Sequence, residues 1–355
     1  MENAKALIAM SGGVDSSVAA HLTQRLGYTC IGATMRMCDA ALLGCPCVDP
    51  SVDAKAVADR LGIPFHVFDT CEDFKKNVVD DFIASYERGD TPNPCIRCNK
   101  TMKFGILLEK AAQLGCDHIV TGHYARIEQD GNTGRFLLKK AVDENKDQSY
   151  FLACLNQQQL SKILLPLGEL TKGEAREIAE AQGFITARKR DSQDICFIPD
   201  GDYKAFMERY TKKTYPAGDY LDLQGNILGK HQGAVGYTLG QRKGLGIALG
   251  EPAYVCAKDM ENNTVTLGKN EDLFRKALRA TDWNFMPFEK LTEPMRVLAK
   301  VRYRHTPQPA TVYPEENGFA RVEFDEPQRA ITTGQAVVLY DGDTVIGGGT
   351  ITEVI

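Results

Sequence analysis

The chain lacks most features that would tie it to a specialised location. No apolar stretch approaches the ~18 residues of a membrane-spanning helix, and the N-terminus has no basic-then-apolar signal pattern. Both absences lead us to expect a soluble, cytoplasmic protein without a membrane partner. Low-complexity tracts and internal repeats are missing too, which argues against disorder and solenoid architectures. There is no excess of positive charge: 42 Lys and Arg stand against 47 Asp and Glu, a formal charge of −5. Indiscriminate nucleic-acid binding is therefore not expected, although a local basic surface remains compatible with that total. Finally, the glycines near the N-terminus are not followed by the Gly-Lys-Ser/Thr of a Walker loop.

What is present is ordinary globular material, 355 residues with 43% hydrophobic and 25% charged side chains, enough for two or three domains. The first ~125 residues alternate strand and helix patterns, the signature of a parallel sheet covered by helices. Strands are expected at 6–10, 30–35, 65–68 and 118–121. One long helix is expected with Phe74, Val78, Phe82 and Tyr86 on one face, and another with Phe104, Leu107, Leu108 and Ala111. Asp130-Gly131-Asn132 reads as a hairpin turn added to this sheet. Thr171-Lys172-Gly173-Glu174 reads as a capping box opening a helix that Gly183 ends. Past about Tyr203 glycines punctuate short runs, and from about Ala280 short alternating strands suit a closed antiparallel barrel. The expected fold class is α/β: a doubly wound, mostly parallel N-terminal sheet, then a small β-rich domain, then a C-terminal antiparallel β-barrel. The expected domains are 1–204, 205–278 and 279–355.

The most informative segment is Ser11-Gly12-Gly13-Val14-Asp15-Ser16-Ser17, directly after the apolar run Ala6-Leu7-Ile8-Ala9-Met10. A glycine-rich turn between a buried strand and a helix N-terminus gathers unpaired N–H groups where a phosphate can sit. The alternative is an ordinary Gly-Ser turn in an α/β sheet. Ser-Gly-Gly-x-Asp-Ser resembles the pyrophosphatase loop of enzymes that split ATP into AMP and pyrophosphate to adenylate an oxygen. Ligands of such sheets bind beyond the carboxyl ends of the strands, so the loops at 11–16, after Met35 and at Gly122 are expected to converge.

Eleven cysteines in a chain of this kind point first to catalytic, redox or metal roles rather than structural disulfides. Two segments stand out. In Thr91-Pro92-Asn93-Pro94-Cys95-Ile96-Arg97-Cys98-Asn99-Lys100 the prolines stiffen the entry to a helix, placing Cys98 at or near its N-terminus. Arg97, Lys100 and Lys103 follow closely, so dipole and cations are expected to raise the thiolate fraction. In Arg188-Lys189-Arg190-Asp191-Ser192-Gln193-Asp194-Ile195-Cys196-Phe197 a strand-like run follows a basic cluster. The two thiols are expected to meet. Cys30, Cys116, Cys154 and Cys256 read as small buried hydrophobes. Cys95 and Cys98 also fit a redox pair or a metal site, but Cys38, Cys45 and Cys47 lack the spacing of a zinc ribbon. His123 fits either a base or a hydrogen-bonded structural residue.

Further runs complete a pattern: Thr-Gly-His-Tyr-Ala at 121–125, Lys-Asp-Gln-Ser-Tyr-Phe-Leu at 146–152, Gly-Tyr-Thr-Leu-Gly-Gln-Arg-Lys-Gly-Leu-Gly-Ile at 236–247 and Val-Arg-Tyr-Arg at 301–304. Together with the two cysteine segments and the opening loop, they resemble the bacterial tRNA-specific 2-thiouridylases over essentially the whole chain. The resemblance implies an adenine nucleotide alpha-hydrolase-like catalytic domain with an ATP site at Ala9, Met10, Ser11, Gly12, Gly13, Val14, Asp15, Ser16, Met35 and Gly122, served by Mg²⁺. It implies Cys98 as nucleophile, and Cys196 as the persulfide carrier that passes through a disulfide with Cys98. Asn93, Pro94 and Cys95 would meet the target base. Lys146, Asp147, Gln148, Arg302 and Tyr303 would meet tRNA.

The implied reaction adenylates the C2 oxygen of the wobble uridine and replaces it with sulfur, in tRNAs for lysine, glutamate and glutamine. The implied partners are tRNA and a cysteine desulfurase or sulfur-relay protein. Some family members carry aspartate where this chain has Cys95, so an acid–base role does not carry over. Cys95, Cys98 and Cys196 are then an alternative ligand set for an iron–sulfur cluster. Further candidates for phosphate contact are Lys139, Lys140, Arg188, Lys189, Arg190, Arg242, Lys243, Arg304 and His305, with solvated surface as the bland reading. Another AMP-forming ATP-pyrophosphatase acting on a different substrate is the competing enzyme, but no glutaminase domain is evident. A non-catalytic RNA- or metal-binding module on the same fold is the competitor from another class.

Overall fold

The computed structural model describes residues 4–37, 50–189 and 195–355. Cys38, Cys45, Cys47, Arg190 and 191–194 lie outside the described residues.

Five parallel strands form the N-terminal sheet in the order β3-β2-β1-β4-β7, with β1 Lys5–Ala9, β2 Thr29–Arg36, β3 Phe65–Asp69, β4 His118–Val120 and β7 Ile163–Leu164. Strand β1 is central, its Ala6 level with Cys30 on one side and His118 on the other. Its residues alternate between two cores: Leu7 joins Phe74, Phe82 and Phe104, while Ala6 and Ile8 join Val18, Ala54 and Val57. Helices therefore cover both faces. Helix α1 (Val14–Arg25) and α2 (Ser51–Leu61), which Gly62 ends at φ 66°, lie on the second face. Helix α3 runs over 71–87 and α4 over 94–113, and each contains a π-helical stretch, Lys75–Val79 and Asn99–Ile106. The expected face of α3 is buried throughout, at Phe74, Val78, Phe82 and Tyr86.

The order of strands reverses beside β1. The chain moves outward through β2 and β3, then returns to place β4 on the opposite side. That switch point opens a crevice beyond the carboxyl ends of β1 and β4.

The hairpin of β5 (Arg126–Gln129) and β6 (Phe136–Lys139) corrects the sequence expectation. It does not extend the parallel sheet: Lys139 pairs with Thr344 of β17, so the hairpin extends the C-terminal sheet. After β6 come the short helices α5 (Ser149–Leu152) and α6 (Gln157–Leu160), then α7 (Lys172–Ala181). Helix α8 (Tyr203–Thr211) opens the segment whose sequence reads as β-rich. Beyond it, a four-stranded sheet has the order β10-β11-β8-β9, from β8 Gly218–Leu221, β9 Ile227–His231, β10 Tyr254–Asp259 and β11 Thr264–Gly268. The last unit is a closed barrel. Strand β12 (Phe274–Phe285) pairs with both β15 (Ala320–Arg329) and β17 (Thr344–Val354). Between them lie β14 (Gln308–Pro314), β13 (Met295–Lys300) and β16 (Ala336–Asp341). The fold class read from sequence is the one observed.

The units share a core. Val235 and the barrel residues Met286, Val338, Tyr340 and Val345 pack with the α3/α4 face of the parallel sheet. Asn284 of β12 also donates to the carbonyls of Ala153 and Leu155, at 2.9 and 2.8 Å.

Candidate functional site

At the switch point, the end of β1 is pinned before the glycine loop begins. Met10 N–H donates to the Ala33 carbonyl at 2.8 Å, and Thr34 Oγ1 donates to the Met10 carbonyl at 2.6 Å. Gly12 then adopts φ +67°, and a Cβ there would stand 2.8 Å from the Pro50 carbonyl. Only glycine suits that position. Gly13 precedes α1, whose N-terminus carries no side-chain cap. Ser16 instead turns its hydroxyl into the loop, accepting from Ser11 N–H at 3.2 Å and donating to the Gly13 carbonyl at 3.1 Å. The first-turn N–H groups of α1 are left without a side-chain cap, the arrangement in which a helix N-terminus can accept an anion.

Gly122, just beyond β4, touches this loop from the other side. A Cβ on it would lie 2.7 Å from the Asp15 carbonyl carbon and 2.8 Å from Ser16 N. Parallel register sets Met35 two residues past Ala33, the partner of Ala9, and so level with Ser11. Ala9, Met10, Ser11, Gly12, Gly13, Val14, Asp15, Ser16, Met35 and Gly122 thus share one end of the sheet.

Two lysines flank the loop. Lys172, nearly buried at the start of α7, bonds both carboxylate oxygens of Asp15, at 2.7 and 2.8 Å, and Tyr124 Oη donates to Asp15 at 2.8 Å. The capping box that positions Lys172 is complete: Thr171 Oγ1 accepts from Glu174 N–H and Glu174 accepts from Thr171 N–H. Sequence reasoning found that box and missed its lysine. Lys189, a candidate for phosphate contact, has its ammonium on the Gly12 carbonyl at 3.0 Å and on Asp53 at 2.7 Å. Two ammonium groups beside a helix N-terminus suit the pyrophosphate end of a nucleotide.

The thiols lie at the start of α4. Asn93 caps it, accepting from Ile96 N–H at 3.3 Å, with Pro94 in the first turn. Cys95 is exposed and Cys98 buried. Cys98 is the fifth residue of the helix rather than its N-terminus, which corrects the expected dipole activation. Cys196 sits in a turn, not a strand, beside Phe197, whose ring packs 5.4–5.6 Å from Phe74, Phe82 and Phe206.

The structure brings Cys95, Cys98 and Cys196 close enough that charge on one opposes charge on the next. Burial pushes the Cys98 thiol up and the Cys196 thiol up to about 12, although part of Cys196 reaches the surface. Burial outweighs the cation expected to help. Lys103 acts in the lowering direction on all three thiols, whereas Arg97 is turned to the Asn77 carbonyl at 3.0 Å. Among the described residues no three His, Cys, Asp or Glu side chains are arranged to hold a metal ion, the three thiols included.

His123 is buried, with Nδ1 2.8 Å from Thr121 Oγ1, and burial drives its pKa well down. It is a neutral, hydrogen-bonded residue.

Lys146, Asp147 and Tyr303 are neighbours, and Tyr303 packs against Phe151 with ring centroids 4.3 Å apart and the planes tilted by 39°. Asp147 is buried, accepting from Ala141 and Ser149 N–H groups and from the Ser149 hydroxyl, while Gln148 accepts from Tyr124 N–H. Those two side chains shape the patch from within. Arg302 is half-buried and donates to the Arg329 carbonyl at 2.9 Å. Lys139 pairs with Glu128 at 2.8 Å.

Family models match in three pieces: a tRNA methyl transferase HUP domain over residues 4–200, a PRC-barrel domain over 204–269 and an aminomethyltransferase beta-barrel domain over 275–351. The chain is 51% identical to tRNA-specific 2-thiouridylase MnmA of Clostridioides difficile (strain 630), with 98% of each chain covered. It is 50% identical to the protein of that name from Acetivibrio thermocellus, covering 99% of this chain and 100% of that one. The chain belongs to the tRNA-specific 2-thiouridylase family. The match to the Moorella thermoacetica member, 49% identical with 98% and 99% covered, is of the same kind. The word methyl in the family-model descriptions has no counterpart in these relatives' names.

Proposed function

We propose that the protein carries out ATP-dependent 2-thiolation of uridine in tRNA, acting on the wobble base. The observation that carries this reading is that Cys95, Cys98 and Cys196 lie within electrostatic reach of one another in the domain that also holds the glycine loop. An ammonia-using ATP-pyrophosphatase needs no paired thiols.

The C2 oxygen of uridine is a poor leaving group. Attack of that oxygen on the α-phosphorus of ATP turns it into the oxygen of AMP and expels pyrophosphate. The α1 N-terminus, Lys172 and Lys189 stabilise the negative charge that develops on the departing phosphates. Mg²⁺ bound with the nucleotide would offset the charge of the departing pyrophosphate, and Asp15 would serve as its oxygen donor by giving up a bond that its carboxylate accepts from Lys172 or Tyr124.

A cysteine desulfurase or sulfur-relay protein loads Cys196 as a persulfide. A perthiol is a much stronger acid than a thiol, so the loaded sulfur ionises where the Cys196 thiol itself stays protonated. The terminal sulfur attacks C2 and AMP leaves with its electron pair. Cys98 thiolate then attacks Cys196 Sγ, breaking the S–S bond and leaving sulfur on C2. The product is a Cys98–Cys196 disulfide, which a thiol reductant of the cytoplasm returns to two thiols. An unstacked anticodon base suits delivery to such a site, with Asn93, Pro94 and Cys95 against it and Lys146, Arg302 and Tyr303 toward tRNA.

The test is stoichiometry. With uridine-bearing tRNA, ATP and a sulfur donor, AMP and 2-thiouridine are expected in a 1:1 ratio in tRNAs for lysine, glutamate and glutamine. AMP without thiolated nucleoside would favour an ATP-pyrophosphatase acting on another substrate.

A further inference from the structure

Cys95 and Cys98 are aimed by the first turns of α4, and that helix start hangs from a segment with few hydrogen bonds of its own. Pro92 and Pro94 have no N–H, so the backbone entering α4 cannot make a local ladder. Its partners come instead from the C-terminal barrel. Thr91 N–H donates to the Thr333 carbonyl at 2.9 Å. Gln335, 244 residues from Thr91, donates its Nε2 to the Thr91 carbonyl at 2.8 Å and reaches the Pro92 carbonyl at 3.3 Å.

The approach is as tight as it can be. Gly334 has φ +83°, and a Cβ on it would stand 2.9 Å from Asp90 Cβ and 3.0 Å from Thr91 N. The barrel loop is in turn held by its own sheet: Gly334 N–H donates to the Ile351 carbonyl at 2.9 Å, and Ile351 N–H to the Gln335 carbonyl at 2.8 Å. One residue on, the Ala336 carbonyl accepts from Tyr150 Oη at 2.9 Å, closing the loop onto the catalytic domain from a second direction.

We infer that Gln335 is a positioning residue for sulfur transfer, its carboxamide fixing the Thr91–Pro92 carbonyls and through them the direction of Cys95 and Cys98. The inference rests on the sulfur-transfer reading above. Cys98 lies six residues past Pro92 in the first turns of α4, so a shift at Pro92 moves the start of the helix and is carried to its sulfur. Displacements of about 1 Å in a reacting group cost on the order of 100-fold in rate. The barrel is thereby part of the active site rather than only a surface for RNA.

Gln335→Glu keeps size and removes the donor; Gln335→Met keeps shape and removes polarity. In the full-length protein both are expected to lower kcat for thiolation by about tenfold or more. KM for tRNA and ATP should stay within about twofold, with kcat referred to the sites that bind ATP so that a smaller folded fraction does not imitate the effect. Amide hydrogen exchange over residues 91–98 is expected to quicken in both variants, a readout independent of turnover. Unchanged kcat, a change confined to KM, or unaltered exchange at 91–98 would each overturn the assignment. If wild-type protein makes no 2-thiouridine while exchange still quickens in the variants, the sulfur-transfer reading fails and the clamp on 91–98 stands.

Discussion

Lys172 Nζ bonds both carboxylate oxygens of Asp15, at 2.7 and 2.8 Å, although 157 residues separate the two in the chain. The pair ties the start of α7 to the ATP loop and holds a cation where phosphate charge would gather. Lys172→Met is expected to weaken ATP binding by about 10- to 100-fold, the usual size of a lost charge-assisted hydrogen bond. Calorimetric titration with ATP checks it. Undiminished affinity would reduce the pair to a structural link.

Gly122→Ala tests the contact between the two loops at the switch point. The added Cβ would meet backbone, not a movable side chain, at Asp15 and Ser16. A loss of about 1–3 kcal/mol in stability is expected, together with weakened ATP binding, because the loop must shift to accept the methyl group. Thermal melting with and without ATP separates the two effects.

The thiols should react slowly at neutral pH. Protein packed around the sulfur raises the pKa of Cys98 and, although part of its side chain reaches the surface, of Cys95, so the thiolate fraction is small and grows as pH climbs above the ordinary thiol range. Lys103 pulls in the opposite direction on both. Removing it, as in Lys103→Met, raises both pKa values further and should slow alkylation severalfold at pH 8. Peptide mapping after timed iodoacetamide treatment gives the rates. A faster reaction in the variant would contradict the placement of Lys103.

Arg302 offers a test of the RNA face. If its guanidinium meets a phosphate, Arg302→Gln lowers the salt slope of tRNA binding by about one unit. Because Arg302 also holds the Arg329 carbonyl, the slope is more informative than affinity alone. An unchanged slope would remove it from the footprint.

Much of this was legible from short-range chemistry. Buried strand, glycine turn and helix start mark the ATP loop, and alternating short strands mark the barrel. What escaped depends on contacts far apart in sequence. The hairpin at 126–139 reads the same whichever sheet it joins, and only the Lys139–Thr344 pairing decides that it joins the barrel. Lys189 lies in a basic run that reads as RNA-binding until Gly12 and Asp53 are found beside it. Lys103 shows a subtler limit. Residues five apart are roughly 140° apart around an α-helix, but the π-helical stretch Asn99–Ile106 brings that spacing close to one full turn. Periodicity assumes α geometry and so could not single out Lys103 from Arg97 and Lys100.

The most direct test is transfer of sulfur through Cys196. Wild-type and Cys196→Ser proteins are incubated with uridine-bearing tRNA, ATP and a persulfide-generating donor, and the digested nucleosides are resolved by mass spectrometry. The wild type is expected to yield 2-thiouridine and the variant none, while tRNA binding remains in both. Equal yields of 2-thiouridine from the two proteins would contradict the account.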